Sequence, residues 1–292
     1  MSGNVMLKAM SSVGGWTLVS RVAGFAREII FAALFGSSAT AEAFQVAFAL
    51  PNMFRRFFGE GAFNTAFIPL YSKKIEKNED ALAFANNVFS ALAIFLIFFS
   101  ALASLAMPLL VWLMASGFVG DARFDMAVDY GRVCFPYILF ISLAAIVSGA
   151  LNANGRFAAA AAAPVLLNII LITAMVFAED LNLAPEIALI WGVPIAGVAQ
   201  LALVWFALRQ SGVNLRLTVP KWTPDLKEML IIAAPAALAG GVLQVNLLVG
   251  RQVASQFEGA IQWVAVADRL YQLPLGVVGI AIGVVLLPTL SK

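Results

Sequence analysis

Eight apolar runs, each long enough to cross the hydrocarbon core of a bilayer, follow one another at residues 13–34, 43–71, 81–115, 126–151, 158–178, 187–208, 226–249 and 260–290. A spanning helix takes about 20 mostly apolar residues, and in hydrocarbon every backbone polar group must be satisfied inside its own segment. The pattern therefore predicts an all-α, polytopic membrane protein. Composition agrees: the chain has 292 residues, 62% of them hydrophobic and 12% charged, where soluble domains carry about 25% charged residues. Runs 81–115 and 260–290 exceed a single crossing, which implies tilt, a break or an interfacial extension. Arg21, Arg27 and Glu28 interrupt the first run where the apolar core of a signal peptide would lie.

With no histidine and one cysteine, Cys134, the chain has no disulfide framework, no Cys/His zinc site and no histidine-based catalytic pair. It contains no Walker A run either, so no cofactor is expected. The net charge of +2 is uninformative until sorted by position, and nothing points to a nucleic-acid partner. With a cytoplasmic N-terminus, the inward segments carry Lys8, Lys73, Lys74, Lys77, Arg156, Arg209, Arg216, Lys221, Lys227 and Lys292. The opposite segments carry Asp121, Asp125, Glu179, Asp180, Glu186 and Glu258, with Arg123 as the basic exception. That asymmetry orients the chain by the positive-inside rule and requires an even number of spans between Lys8 and Lys292. The longest polar connection, holding Gly212, Pro220 and Pro224, reads as a joint. It divides the chain into a six-helix lobe (1–211), a cytoplasmic linker (212–225) and two helices of a second lobe (226–292).

Several charges lie inside the apolar runs, where they are costly and usually face a bundle interior or an aqueous cavity. The first run carries Arg21, Arg27 and Glu28, the second Arg55, Arg56 and Glu60 with Glu42 at its entrance, and the eighth Asp268 and Arg269. At about 100° per residue, Glu42, Gln45, Asn52, Arg56, Glu60 and Asn64 share one arc of the second run. Ala43, Phe44, Ala47, Leu50, Phe54 and Phe58 fall opposite, so one hydrated stripe and one aromatic face, turned to lipid or to packing, are expected. Pro51 removes a backbone donor and predicts a kink there, and Gly24 offers a bend in the first helix. All five cations within these three runs are arginines, and none of the three holds a lysine. Guanidinium stays charged and grips phosphate bidentately, so an arginine-lined cavity suits a phosphorylated anion. The alternative is that these arginines pair with the neighbouring acids as interhelical glue or snorkel to an interface, and charge counting does not decide between the two.

The runs Ser20-Arg21-Val22-Ala23-Gly24-Phe25-Ala26-Arg27-Glu28, Thr40-Ala41-Glu42-Ala43-Phe44, Leu50-Pro51-Asn52-Met53-Phe54-Arg55-Arg56 and Glu60-Gly61-Ala62-Phe63 resemble the N-terminal signature of the MurJ (MviN) family. Asp268-Arg269-Leu270, leading to Pro274, Gly276 and the closing Leu287-Pro288-Thr289-Leu290-Ser291-Lys292, does so too. The resemblance spans the chain. It implies a MOP/MATE-like helical bundle and a multi-pass flippase of the bacterial inner membrane, a transporter and not an enzyme. The implied substrate is lipid II, the undecaprenyl-pyrophosphate-linked disaccharide-pentapeptide of peptidoglycan synthesis. Arg21, Arg27, Arg55 and Arg269 match the family's essential cavity arginines, and Glu42 matches its acid at the outer end of helix 2. Glu28, Asn52, Arg56 and Glu60 complete the expected substrate-binding set. The acid that the family carries three residues after the helix 8 arginine is Gln272 here, a departure from the family's pattern that puts a proton or charge-pair role at that position in question. Family members continue well past an eighth helix, so the chain is expected to be truncated, a monomer surrounded by membrane lipids. Two other functions remain open on the residues: export of a different polyprenyl-linked glycan, and a membrane polyprenyl-pyrophosphate enzyme using Glu28, Glu42 or Glu60.

Overall fold

Caps and prolines set the helix boundaries. In the computed structural model, which describes residues 3–55 and 62–271, the chain runs through α1 (Gly3–Phe35), α2 (Ala39–Arg55), α3 (Ala62–Glu76), α4 (Ala81–Leu105) and α5 (Met107–Met114). Then come α6 (Ala122–Cys134), α7 (Tyr137–Ala153), α8 (Ala158–Val176), α9 (Pro185–Gln210), α10 (Pro224–Ala254) and a helix over 260–271, α11. There is no strand among the described residues. Among the described residues, five helical stretches are long and apolar enough to cross a membrane: Ala81–Leu105, Ala122–Ala153, Ala158–Val176, Pro185–Gln210 and Pro224–Ala254.

The Asp80 carboxylate accepts from the Ala83 N–H to start α4, and the Thr223 hydroxyl accepts from Leu226 N–H to start α10. The long run 81–115 breaks at Ala106, after which Pro108 occupies the first turn of α5. Pro136 likewise separates α6 from α7.

Three local expectations change. α6 starts at Ala122, ahead of the expected 126, because the Asp121 side chain accepts from Arg123 N–H and caps it. Arg123, read from sequence as a loop residue, is therefore in the first turn of a helix and is buried. α1 is one continuous helix, and Gly24 serves contact: a Cβ there would stand 3.6 Å from the Asn168 amide of α8. That amide donates to the Ser20 carbonyl across the α1–α8 seam at 3.2 Å. α2 runs on through Pro51 to Arg55 and is buried nearly all round, from Ala41 to Phe44 and from Val46 to Pro51. Its aromatic face is thus a packing face, not a lipid face, with Phe44 stacked on Phe48 at 5.5 Å and Phe48 against Tyr137 of α7.

α1 packs chiefly on α8, α2 on α6, α7 and α8 on α9, and α3 on α7 and α10. α1 and α2 share a tight turn at Gly36, which has φ +57°, yet dock on different partners, α1 on α8 and α2 on α6.

Candidate functional site

Two buried polar clusters lie close to the α1–α2 turn, and each joins the first helices to α11. The inner cluster is built on Glu28 of α1. Its Oε2 lies 3.6 Å from an Arg27 nitrogen and 4.0 Å from Arg269 Nε of α11. The Gln45 amide of α2 donates to Glu28 Oε1 at 3.2 Å and to Gln262 Oε1 of α11 at 3.0 Å. The Arg27 guanidinium also lies over the Phe48 ring at 5.8 Å. One carboxylate therefore faces two guanidiniums at distances longer than the roughly 2.7–2.9 Å of a charge-assisted hydrogen bond. Arg27 and Glu28 are buried and Arg269 is half-buried, so the excess positive charge sits in a poorly hydrated place suited to an anion.

The outer cluster is built on Glu42, which is 0% exposed. Arg123 Nη1 donates to its Oε2 at 2.9 Å, and the Ile261 N–H at the start of α11 donates to its Oε1 at 3.1 Å. Arg123 Nε in turn donates to Asp121 Oδ2 at 2.7 Å, and its guanidinium stacks over Phe118 at 4.5 Å. The Arg123 backbone N–H, and then its guanidinium, hold the Asp121 carboxyl below its ordinary pKa against the opposing effect of burial. Glu42 is thus a clasp: one carboxylate neutralises a buried arginine of α6 and satisfies a backbone donor at the N-terminus of α11.

Beside the clasp, the turn after α5 closes on the end of α10. Ser116 N–H donates to Gln252 Oε1 at 2.6 Å and Gly117 N–H donates to the Ser255 hydroxyl at 3.1 Å. A Cβ on Gly117 would lie 2.3 Å from the Ser255 carbonyl oxygen, so only glycine permits this approach. By the positive-inside orientation this is the outer end of the bundle, where the turn after α5, the end of α10 and the start of α11 meet.

The structure brings only part of the expected set together. Arg27, Glu28 and Arg269 converge, while Glu42 belongs to the outer cluster. Arg21 is exposed and, six residues before Arg27, lies about 9 Å closer to the cytoplasmic end of α1. Arg55 ends α2, ten residues beyond Gln45 and so about 15 Å deeper in the same direction. The arginines form a ladder and not a single nest. Asn52 turns onto its own helix, donating to the Phe48 carbonyl at 2.8 Å, and Arg56 and Glu60 lie outside the described residues. Sequence reasoning missed Gln262 and the role of Arg123. The available signal was Asp121-x-Arg123 opening a helix in an otherwise acidic outer segment.

Among the described residues the chain is an all-helical bundle with membrane-spanning helices and arginines set below the meeting point of α2, α6 and α11, a fold shared with solved membrane transporters. A solved MOP superfamily transporter from Pyrococcus furiosus shares this fold, with a TM-score of 0.67 at 14% identity over 96% of this chain and 65% of that one. A solved structure described as lipid II flippase MurJ in an inward closed conformation aligns with a TM-score of 0.76 at 26% identity, over 90% of this chain and 55% of that one. The family "Lipid II flippase MurJ" matches residues 31–292. A relative from Rhizobium tropici named "Probable lipid II flippase MurJ" is 47% identical over 98% of this chain. The chain belongs to the lipid II flippase MurJ family. It is a multi-pass protein of the bacterial inner membrane, and it spans 55% of the length of that relative.

Proposed function

We propose that the chain moves lipid II from the cytoplasmic to the periplasmic leaflet, with its pyrophosphate carried on Arg21, Arg27, Arg55 and Arg269. The observation that carries this reading is the Glu28 cluster, where one acid is shared by arginines from α1 and α11 beneath the outer cluster. Arg55 and Arg21, nearer the cytoplasmic ends of α2 and α1, would meet the diphosphate first. Arg27 and Arg269 would then take it in competition with Glu28, whose long contacts are readily exchanged for the bidentate fork that phosphate accepts. Because Arg269 sits on the helix whose first turn Glu42 holds, a pull on α11 is felt at the outer clasp. Release of that clasp lets residues 1–211 rock against the lobe that begins at residue 226, with the linker 212–225 as the joint. The polyprenyl tail stays in lipid throughout. Movement of net charge couples the cycle to the membrane potential at about 2.3 kcal/mol per charge per 100 mV, so no nucleotide is needed. The working unit is a monomer.

The test is replacement of Arg27 and Arg269, singly and together, by Ala and by Lys in the longest form of the gene, in cells depleted of their own flippase. Loss of growth with both substitutions, together with weaker retention of a polyprenyl pyrophosphate by the purified protein, is expected. Normal growth of the double Ala variant would overturn the proposal.

A further inference from the structure

The linker between α9 and α10 carries the least explained surface of the molecule. It has no helix from 213 to 223, yet its position is set by side chains of α4. Asn86 Oδ1 accepts from Arg216 N–H at 2.7 Å and the Ser90 hydroxyl oxygen accepts from Thr218 N–H at 2.8 Å. Asn87 pairs with both backbone groups of Lys221, accepting its N–H at 2.7 Å and donating to its carbonyl at 2.8 Å. An extended strap tied at three points does not hide its apolar residues. Leu217, Val219 and Trp222 are 70%, 82% and 74% exposed.

Two observations say what covers them. The first is continuity along α4. Ile94, Ile97 and Leu105 lie within about 60° of Ser90 around the helix, and all three are exposed large apolar residues in the middle of a spanning helix. That stripe faces lipid, and its first member is only about 6 Å further along the axis than Ser90. The strap therefore lies over a lipid-facing stripe at the point where the stripe ends, which is the level of the headgroups. The second is charge. The segment from 211 to 223 contains no acid, and Arg216 and Lys221, both exposed, alternate with the three apolar residues on the side that the positive-inside rule makes cytoplasmic. Tryptophan beside basic residues is the composition of a membrane–water boundary.

We propose that residues 213–223 form an interfacial strap that inserts Leu217, Val219 and Trp222 at the headgroup–acyl boundary of the cytoplasmic leaflet and binds anionic phospholipid headgroups through Arg216 and Lys221. The strap fixes the depth of the joint between α9 and α10, so that the helices on either side swing about a point held at the membrane surface. The proposal rests on the membrane-spanning reading alone and is independent of the identity of the transported lipid.

The test places a nitroxide on Val219→Cys in protein reconstituted into nanodiscs of phosphatidylcholine, with and without phosphatidylglycerol. Cys134 is fully buried and does not compete for label. Collision with oxygen is expected to exceed collision with a water-soluble nickel chelate, by a margin that grows with phosphatidylglycerol. The R216Q/K221Q double variant is expected to retain about tenfold less phosphatidylglycerol relative to phosphatidylcholine by native mass spectrometry. Asn87→Ala is expected to bring the label into nickel contact while the melting temperature changes little. Nickel access typical of a free loop in the parent would overturn the proposal. Shielding from both reagents would also overturn it, by showing that protein and not lipid covers the strap. Unchanged lipid retention in the double variant would remove the anionic preference.

Discussion

Replacing Glu42 by Gln changes one charge and no volume, at the residue that joins α2, α6 and α11. In the parent its two oxygens accept from Arg123 at 2.9 Å and from Ile261 N–H at 3.1 Å. Hydrogen bonds to a charged group are worth about 1.5–3 kcal/mol each, whereas a neutral amide oxygen keeps one bond of about 1 kcal/mol. The amide nitrogen must also face a guanidinium, donor against donor. Asp121 still neutralises Arg123, so the full penalty of an unpaired buried charge is not incurred. The outer cluster therefore loses about 3 kcal/mol, or about two orders of magnitude in the ratio of closed to open states. Ala254, buried where α10 meets the Ser116–Gly117 turn, reports on this when changed to Cys and exposed to a membrane-impermeant maleimide. Labelling should accelerate about 100-fold in Glu42→Gln. Arg123→Gln should act in the same direction, and the two together less than additively, because both remove one pair. A labelling rate within about threefold of the parent would refute the clasp and leave Glu42 as a local packing element.

Gly117→Ala should also open the outer end, because its Cβ would meet the Ser255 carbonyl; faster labelling at Ala254→Cys checks this, with a cost of about 1–3 kcal/mol. Gly259→Ala should lower the melting temperature, since φ there is +79° and Trp263 lies 3.0 Å from the new carbon; left-handed backbone alone costs about 1–2 kcal/mol. Arg27→Lys should keep the fold but weaken polyprenyl pyrophosphate binding, because a point charge replaces the planar fork. The lowered pKa of Asp121 gives stability that is fully present above its unfolded value of about 3.9 and is lost as pH falls through the lower folded value. Melting curves from pH 7 to pH 3 should show this acid-side loss, and Asp121→Asn should flatten it.

The charges inside apolar runs or at their entrance were legible because burying an ion is costly wherever the chain goes, so Arg27, Glu28, Glu42 and Arg269 stand out with no structure in hand. Their partners were not legible. Glu42 finds Arg123 across 81 positions and Ile261 across 219, and Gln45 finds Gln262 across 217. No periodicity along one helix encodes such pairings. Helical phase placed Glu42 and Gln45 on one stripe, yet predicted that stripe to be hydrated. Packing of α6 against α2 excluded water from Glu42 and replaced it with a guanidinium. Pro51 was legible as a lost donor, and its neighbour Asn52 turns its amide back to the Phe48 carbonyl.

The dryness of the Glu42 clasp also gives the outer opening a count in water molecules. When α11 leaves, a carboxylate, a guanidinium and the exposed N–H groups of a helix start must all hydrate together, and on closing each shell is expelled. The two ends of the cycle therefore differ in bound water as well as in shape. Solutes too large to enter the opening, such as sucrose or a long polyethylene glycol, should hold the outer end shut in proportion to the osmotic pressure they exert.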